Sequence, residues 1–142
     1  MSEPLPLFED VRDEANTALR EVVAEFPTSA PVEQLGEDSL GCRGTGVPSG
    51  SSGVTYTNHI AVVQSETFDG AAFIEALPDR LGDAYVARES EIKLNTPSID
   101  VVARDHGGSL LSVSAREHEG EKFLEVYVFS RCGQQSVDRA AR

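Results

Sequence analysis

The final third of the chain restricts the fold more than any other part. Four stretches rich in strand formers, residues 84–94, 98–104, 109–116 and 122–130, are separated by short runs of turn chemistry: Asn95-Thr96-Pro97, Asp105-His106-Gly107-Gly108 and His118-Glu119-Gly120-Glu121. Asn, Asp, Gly and Pro reverse a chain because they tolerate or pre-set the backbone angles of tight turns. The four stretches therefore read as an antiparallel meander. In the third, Leu111, Val113 and Ala115 alternate with Ser112, Ser114 and Arg116. A period of two with one apolar side means one covered sheet face and one wet face.

The covering elements lie upstream. Phe8, Val11, Ala15, Leu19, Val22 and Phe26 step by three and four, which predicts a helix from Phe8 to Phe26, stopped by Pro27. Its first turns carry Glu9, Asp10, Asp13 and Glu14, where the helix dipole favours acids. Residues 32–42 are weakly patterned and are expected to hold one short strand. Residues 44–53 form a loop by composition, and a strand runs from Val54 through Val63. A second helix is expected from Phe68 to Arg80, with Thr67 as N-cap, Gly82 as C-cap and Pro78 placed to end it early. The expected architecture is α+β: two helices on a mostly antiparallel sheet of five to six strands, in the order α-β-β-α-β-β-β-β. Residues 1–7 should be an extended lead-in, 8–133 a single domain and 134–142 a flexible tail.

Charge and cysteine usage narrow the function classes. With 24 Asp+Glu against 12 Lys+Arg among 142 residues, the formal net charge is −12. Phosphate contacts need clustered Lys and Arg, so neither a nucleic acid nor an anionic membrane surface suits this chain. No apolar run approaches a membrane span, and no charged-then-apolar leader opens the chain. Cys42 and Cys132 match no zinc or redox spacing. They are either free core thiols or one long-range disulfide.

No catalytic motif emerges. Gly44-Thr45-Gly46 begins like a dinucleotide fingerprint, but Ser49 stands where the third glycine should be, and a strand follows instead of a helix. His59 lies in a strand, where a hydrogen-bonded sheet histidine is the common outcome. His106 and His118 fall in successive turns at opposite ends of the meander, too far apart to share a metal, and read as solvated turn residues. Glu89 and Glu91 share a strand face but are surrounded by Arg88, Ser90 and Lys93, as on a solvated surface. No cofactor or metal is expected. The last strand carries Phe123, Tyr127 and Phe129 against Leu124, Val126 and Val128. Apolar bulk on both sides means either a central strand covered by both helices or an apolar stripe that meets a partner. Ser112, Ser114, Arg116 and, from the neighbouring strand, Arg104 form the candidate ligand site, since paired guanidinium forks grip a carboxylate or sugar acid. The alternative is that the arginines pair with Asp100, Glu117 or Glu125 across the sheet.

Several strings, taken with this order, point to a known group. They are the amphipathic helix before a Leu-Gly-Cys42 step, Tyr56-Thr-Asn-His-Ile-Ala-Val, a helix ending in Leu81-Gly-Asp, Ile99-Asp-Val-Val-Ala-Arg-Asp-His-Gly-Gly-Ser-Leu-Leu-Ser-Val-Ser, and Val128-Phe-Ser-Arg-Cys-Gly. Over residues 8–133 the chain resembles the small exported lipoprotein domains of high-GC Gram-positive bacteria, most of which have no assigned activity. The resemblance implies export, an N-terminal lipid or membrane anchor absent from this chain, and a disulfide between Cys42 and Cys132. The expectation is therefore a non-enzymatic extracytoplasmic domain that binds a protein or small ligand. The alternative is a cytoplasmic acidic inhibitor or immunity-type protein, which a charge of −12 would steer to a basic partner.

Overall fold

A computed structural model describes residues 5–27, 30–42, 53–88 and 96–134. The elements are α1 (Phe8–Val23), β1 (Glu33–Gly41), β2 (Val54–Val63), α2 (Gly70–Leu81), β3 (Tyr85–Arg88), β4 (Ser98–Ala103), β5 (Ser109–His118) and β6 (Glu121–Gly133). The six strands form one antiparallel sheet in the order β1-β2-β6-β5-β4-β3. After the β1–β2 hairpin, α2 carries the chain to the far edge. The meander β3 to β6 then walks back until β6 lies beside β2. The β5–β6 reversal is a two-residue turn at Glu119 (φ 51°) and Gly120 (φ 84°), the positive-φ pair that matches strand twist.

Both helices cover the same face. α1 packs on β2, β6 and β5, and α2 on β5, β4 and β3. The core follows from the strand period: Ile60 and Val62 on β2, Leu124, Val126 and Val128 on β6, Leu111 and Val113 on β5, and Val101 on β4 are all buried. From α1, Val11, Ala15, Ala18, Leu19 and Val22 complete it, and from α2, Phe73, Ile74 and Leu77. At the start of α2 the approach is closest: a Cβ on Gly70 would sit 2.5 Å from the Ala115 Cβ on β5.

Several details depart from the sequence expectations. α2 begins at Gly70, capped by Asp69, whose Oδ1 accepts from the Ala72 N–H at 3.1 Å. The Thr67 hydroxyl turns instead to Ser65, 3.3 Å away. Pro78 does not end the helix. It sits in the last turn, where its own carbonyl still accepts from the Gly82 N–H at 3.1 Å. β1 is a full nine-residue strand although every residue in it is exposed; pairing with β2, not burial, holds it. Position 134 does not belong to a free tail: Gln134 pairs in parallel with Leu7, donating to Pro6 O and accepting from the Phe8 N–H, both at 2.8 Å. The end of the lead-in is thereby clipped to the end of β6. The glycine-rich loop (43–52), Glu89 and Glu91, and residues 135–142 lie outside the described residues.

Candidate functional site

With both helices on one side, no element among the described residues covers the other side of the sheet, which carries the aromatic residues of β6. The expectation of a central strand buried on both sides under the two helices does not hold. The strand is central, between β2 and β5, but only its Leu124, Val126 and Val128 side is covered. Pairing carries one row of open-face residues across five strands: His59 on β2, Tyr127 on β6, Ser112 on β5, Asp100 on β4 and Arg88 on β3. The adjacent row is apolar, running Phe129, Leu110, Val102 and Val86. The row on the other side holds Ala61, Glu125, Ser114 and Ser98.

A bulge sets where this surface ends. Ser130 and Arg131 on β6 together oppose Tyr56 on β2, and the Ser130 hydroxyl accepts the Tyr56 N–H at 2.8 Å. The extra residue exchanges the faces of the strand beyond it. Phe129 stays on the open side, while Arg131 reaches α1 and grips Glu14 with two bonds, 3.0 and 2.8 Å. Gly133 then passes beneath Val11.

The rings on the open face are ordered. His59 stacks on Tyr127 with centroids 3.7 Å apart and planes 11° apart, and Phe129 lies parallel to Tyr127 at 5.9 Å. Since the His59–Tyr127 axis runs from strand to strand, the rings stand off the sheet rather than lying flat on it. His59 is held from below: its Nε2 is 2.6 Å from Glu125 Oε1, while Glu125 Oε2 is 3.2 Å from Arg116 Nε. One half-buried carboxylate thus ties together residues from three strands, and no serine hydroxyl bonds His59 among the described residues. Tyr127 at 42% exposure, Val86 at 44% and Val63 at 38% are large apolar groups left to solvent on this one face.

Of the four candidate ligand residues, Ser112, Ser114 and Arg116 share this face, but Arg104 does not join them. The register that sets Ala103 against Ser109 puts Arg104 beside Gly108, eight residues along β5 from Arg116, or about 26 Å at strand rise. Arg104 instead donates to Asp83 O at 3.2 Å. Arg116 is paired with Glu125, so the two-arginine grip on an acid is not formed. Sequence reasoning missed the His59–Tyr127 stack because those residues meet only when β6 inserts beside β2.

Three further features bear on function. Cys42 and Cys132 form a disulfide, with S–S 2.06 Å and Cα atoms 5.9 Å apart, tying the end of β1 to β6 across β2. His106 is no free turn residue: its Nε2 lies 3.0 Å from Glu21 on α1, which also accepts the Tyr85 hydroxyl at 2.6 Å. The Tyr85 bond, helped by His106 and opposed by partial burial, holds the Glu21 carboxyl below its usual range. His118 is exposed, at the opposite end of β5 from His106. Among the described residues no helix is long and apolar enough to cross a membrane, and no group of three His, Cys, Asp or Glu is placed to hold a metal ion. No family profile, curated protein or solved structure matches this chain.

Proposed function

We propose that this chain is a non-enzymatic extracytoplasmic interaction module, whose binding surface is the uncovered face of the sheet and whose partner is a protein with a basic, partly apolar contact face. The observation that carries this reading is the aromatic wall of exposed Tyr127 and half-buried Phe129 on a face that no element among the described residues covers. Aromatic side chains with ordered neighbours are what protein interfaces concentrate at their centres, because they bury much area and lose little rotamer freedom. The charge of −12 selects the partner's sign and disfavours a second copy of the same chain.

The disulfide supports an oxidising compartment, since such bonds are rare in the cytosol. The resemblance to exported lipoprotein domains points the same way. The acidic balance also favours a second reading, a cytoplasmic inhibitor or immunity-type protein covering a basic enzyme face. Thiol trapping in the native cell separates the two: Cys42 and Cys132 resist alkylation until reduced in the first reading and react at once in the second.

The binding surface is tested by a photo-crosslinking side chain placed at Ser112 in the native cell, with Glu75 on α2 as the control position. The expected result is one basic protein captured from position 112 and not from position 75, its yield cut by Tyr127→Ser and by high salt. Equal capture from both positions, or none from position 112, would overturn the reading.

A further inference from the structure

On the helix side of the sheet, away from the aromatic wall, a cleft of about 470 Å³ opens between the C-terminal half of α1 and the edge strand β1. Its size falls in the range of small-molecule sites, which run from roughly 300 to 1,000 Å³. Leu19 and Val23 on α1 and Ile60 on β2 form apolar walls, and Val32 stands at the lip, 49% exposed. The polar groups converge from three elements: Asn16 on α1, Asn58 on β2, and Gln34 and Glu37 on β1.

These groups are already ordered by one another. Gln34 Nε2 donates to Asn58 Oδ1, and Asn58 Nδ2 donates to Asn16 Oδ1 at 3.2 Å. The Tyr56 hydroxyl donates to Glu37 Oε2, with Asn16 Oδ1 3.2 Å away. Asn58 is 93% buried, and a polar group so placed is costly unless its partners hold it. Gln34 and Asn58 spend donors within the network, whereas the Asn16 Nδ2 amide makes no hydrogen bond among the described residues. Among the described residues no hydrogen bond reaches Glu37 Oε1 or Gln34 Oε1, so two acceptors, one of them charged, stay open to a ligand beside the Asn16 amide. At the mouth, Arg20 turns along its own helix and donates to Thr17 Oγ1 at 3.1 Å.

We infer that this cleft is a second binding site, for a small amphipathic cation whose apolar body lies between Leu19, Val23 and Ile60 and whose ammonium group meets Glu37 and Gln34. It is independent of the sheet face proposed for the protein partner. An ammonium donates to the open acceptors Glu37 Oε1 and Gln34 Oε1, and its charge meets a carboxylate fixed by Tyr56.

The chain contains no Trp, so an indole probe can be followed by its own fluorescence. Tryptamine, tryptophol and indole-3-acetate share one apolar body and differ in the charge of the head. The expected result is saturable tryptamine binding with Kd below about 1 mM, at least tenfold tighter than either analogue. Glu37→Gln, which keeps an acceptor for Tyr56, should reduce tryptamine to the level of tryptophol. Glu33→Gln, an exposed acid on the same strand outside the cleft, should leave binding unchanged and so reports the general attraction of an acidic protein for cations. Val23→Phe, which narrows the cleft without adding an indole, should abolish binding while the disulfide and thermal unfolding persist. Three results would overturn the site: no saturable binding of any probe, equal binding of amine and acid, or equal losses from Glu33→Gln and Glu37→Gln. None of them bears on the sheet face, which the crosslinking at Ser112 tests separately.

Discussion

At the scale of single residues, the closest packing and the buried polar contacts make the sharpest predictions. Gly70 starts α2 against Ala115 with no room for a Cβ, so Gly70→Ala forces the helix away from β5. A loss of about 1–3 kcal/mol is expected from such overpacking, read as a lower urea midpoint with an unchanged slope. Glu21 gives the chain an acid-sensitive contact. Its carboxyl is depressed in the folded state, so its contribution is complete above its ordinary value of 4.5 and is lost as pH falls through the lower folded value. Urea titrations of the parent should therefore show a decline below pH 4.5 that Glu21→Gln reduces. The tyrosines act at the other end of the scale. Burial first, and then the neighbouring Glu37, push Tyr56 up to about 12, and burial with Glu21 pushes Tyr85 up as well. Both are favoured as neutral phenols, so their contribution holds below pH 10 and falls as pH rises toward 12. Difference absorbance of tyrosinate during an alkaline titration should show Tyr56 ionising together with the loss of stability.

At the scale of elements, the disulfide and the sheet edge belong together. β1 buries no residue and is held by pairing with β2 at one edge and by Cys42 at its end. Reduction should therefore loosen β1 first: amide exchange over residues 33–41 accelerates while β5 and β6 stay protected, and global stability falls by no more than about 4–5 kcal/mol. Uniform acceleration across the sheet would show instead that the bond holds the whole fold. The same strand shows what sequence reading reaches. α1 and the meander were legible because each carries an unbroken apolar period, as with Val11, Ala15, Leu19 and Val22, or Leu111, Val113 and Ala115. β1 was legible only as a short strand and not at its full nine residues, because a strand held only by backbone pairing writes no period into its side chains. The start of α2 shifted from Phe68 to Gly70 because Asp69, a stronger cap than Thr67, stands two residues later. The helix-free side of β5 was read correctly although Ser114 on it is buried, and which residues gather beside it depends on register. Register brought Glu125 to Arg116 and carried Arg104 to the far end of the strand.

At the scale of the whole molecule, the arrangement is lopsided. One sheet face is sealed by two helices, the other is left with Tyr127, Val86 and Val63 in solvent, and the chain as a whole is strongly acidic. Acidity keeps such a surface from pairing with its own copies and speeds its encounter with a basic partner. Association with that partner should therefore slow as salt rises, whereas Tyr127→Ser should act mainly on dissociation, because it removes buried contact and no charge. The proposal that the uncovered face is the binding surface is tested most directly by side-chain NMR of the domain, alone and with the protein captured from Ser112. The methyls of Val86, Val102 and Leu110 and the ring signals of His59 and Tyr127 should shift or broaden, while the methyls of Ala71 and Ala72 on α2 remain in place. Perturbation confined to α1 and α2, with the aromatic wall unchanged, would contradict it.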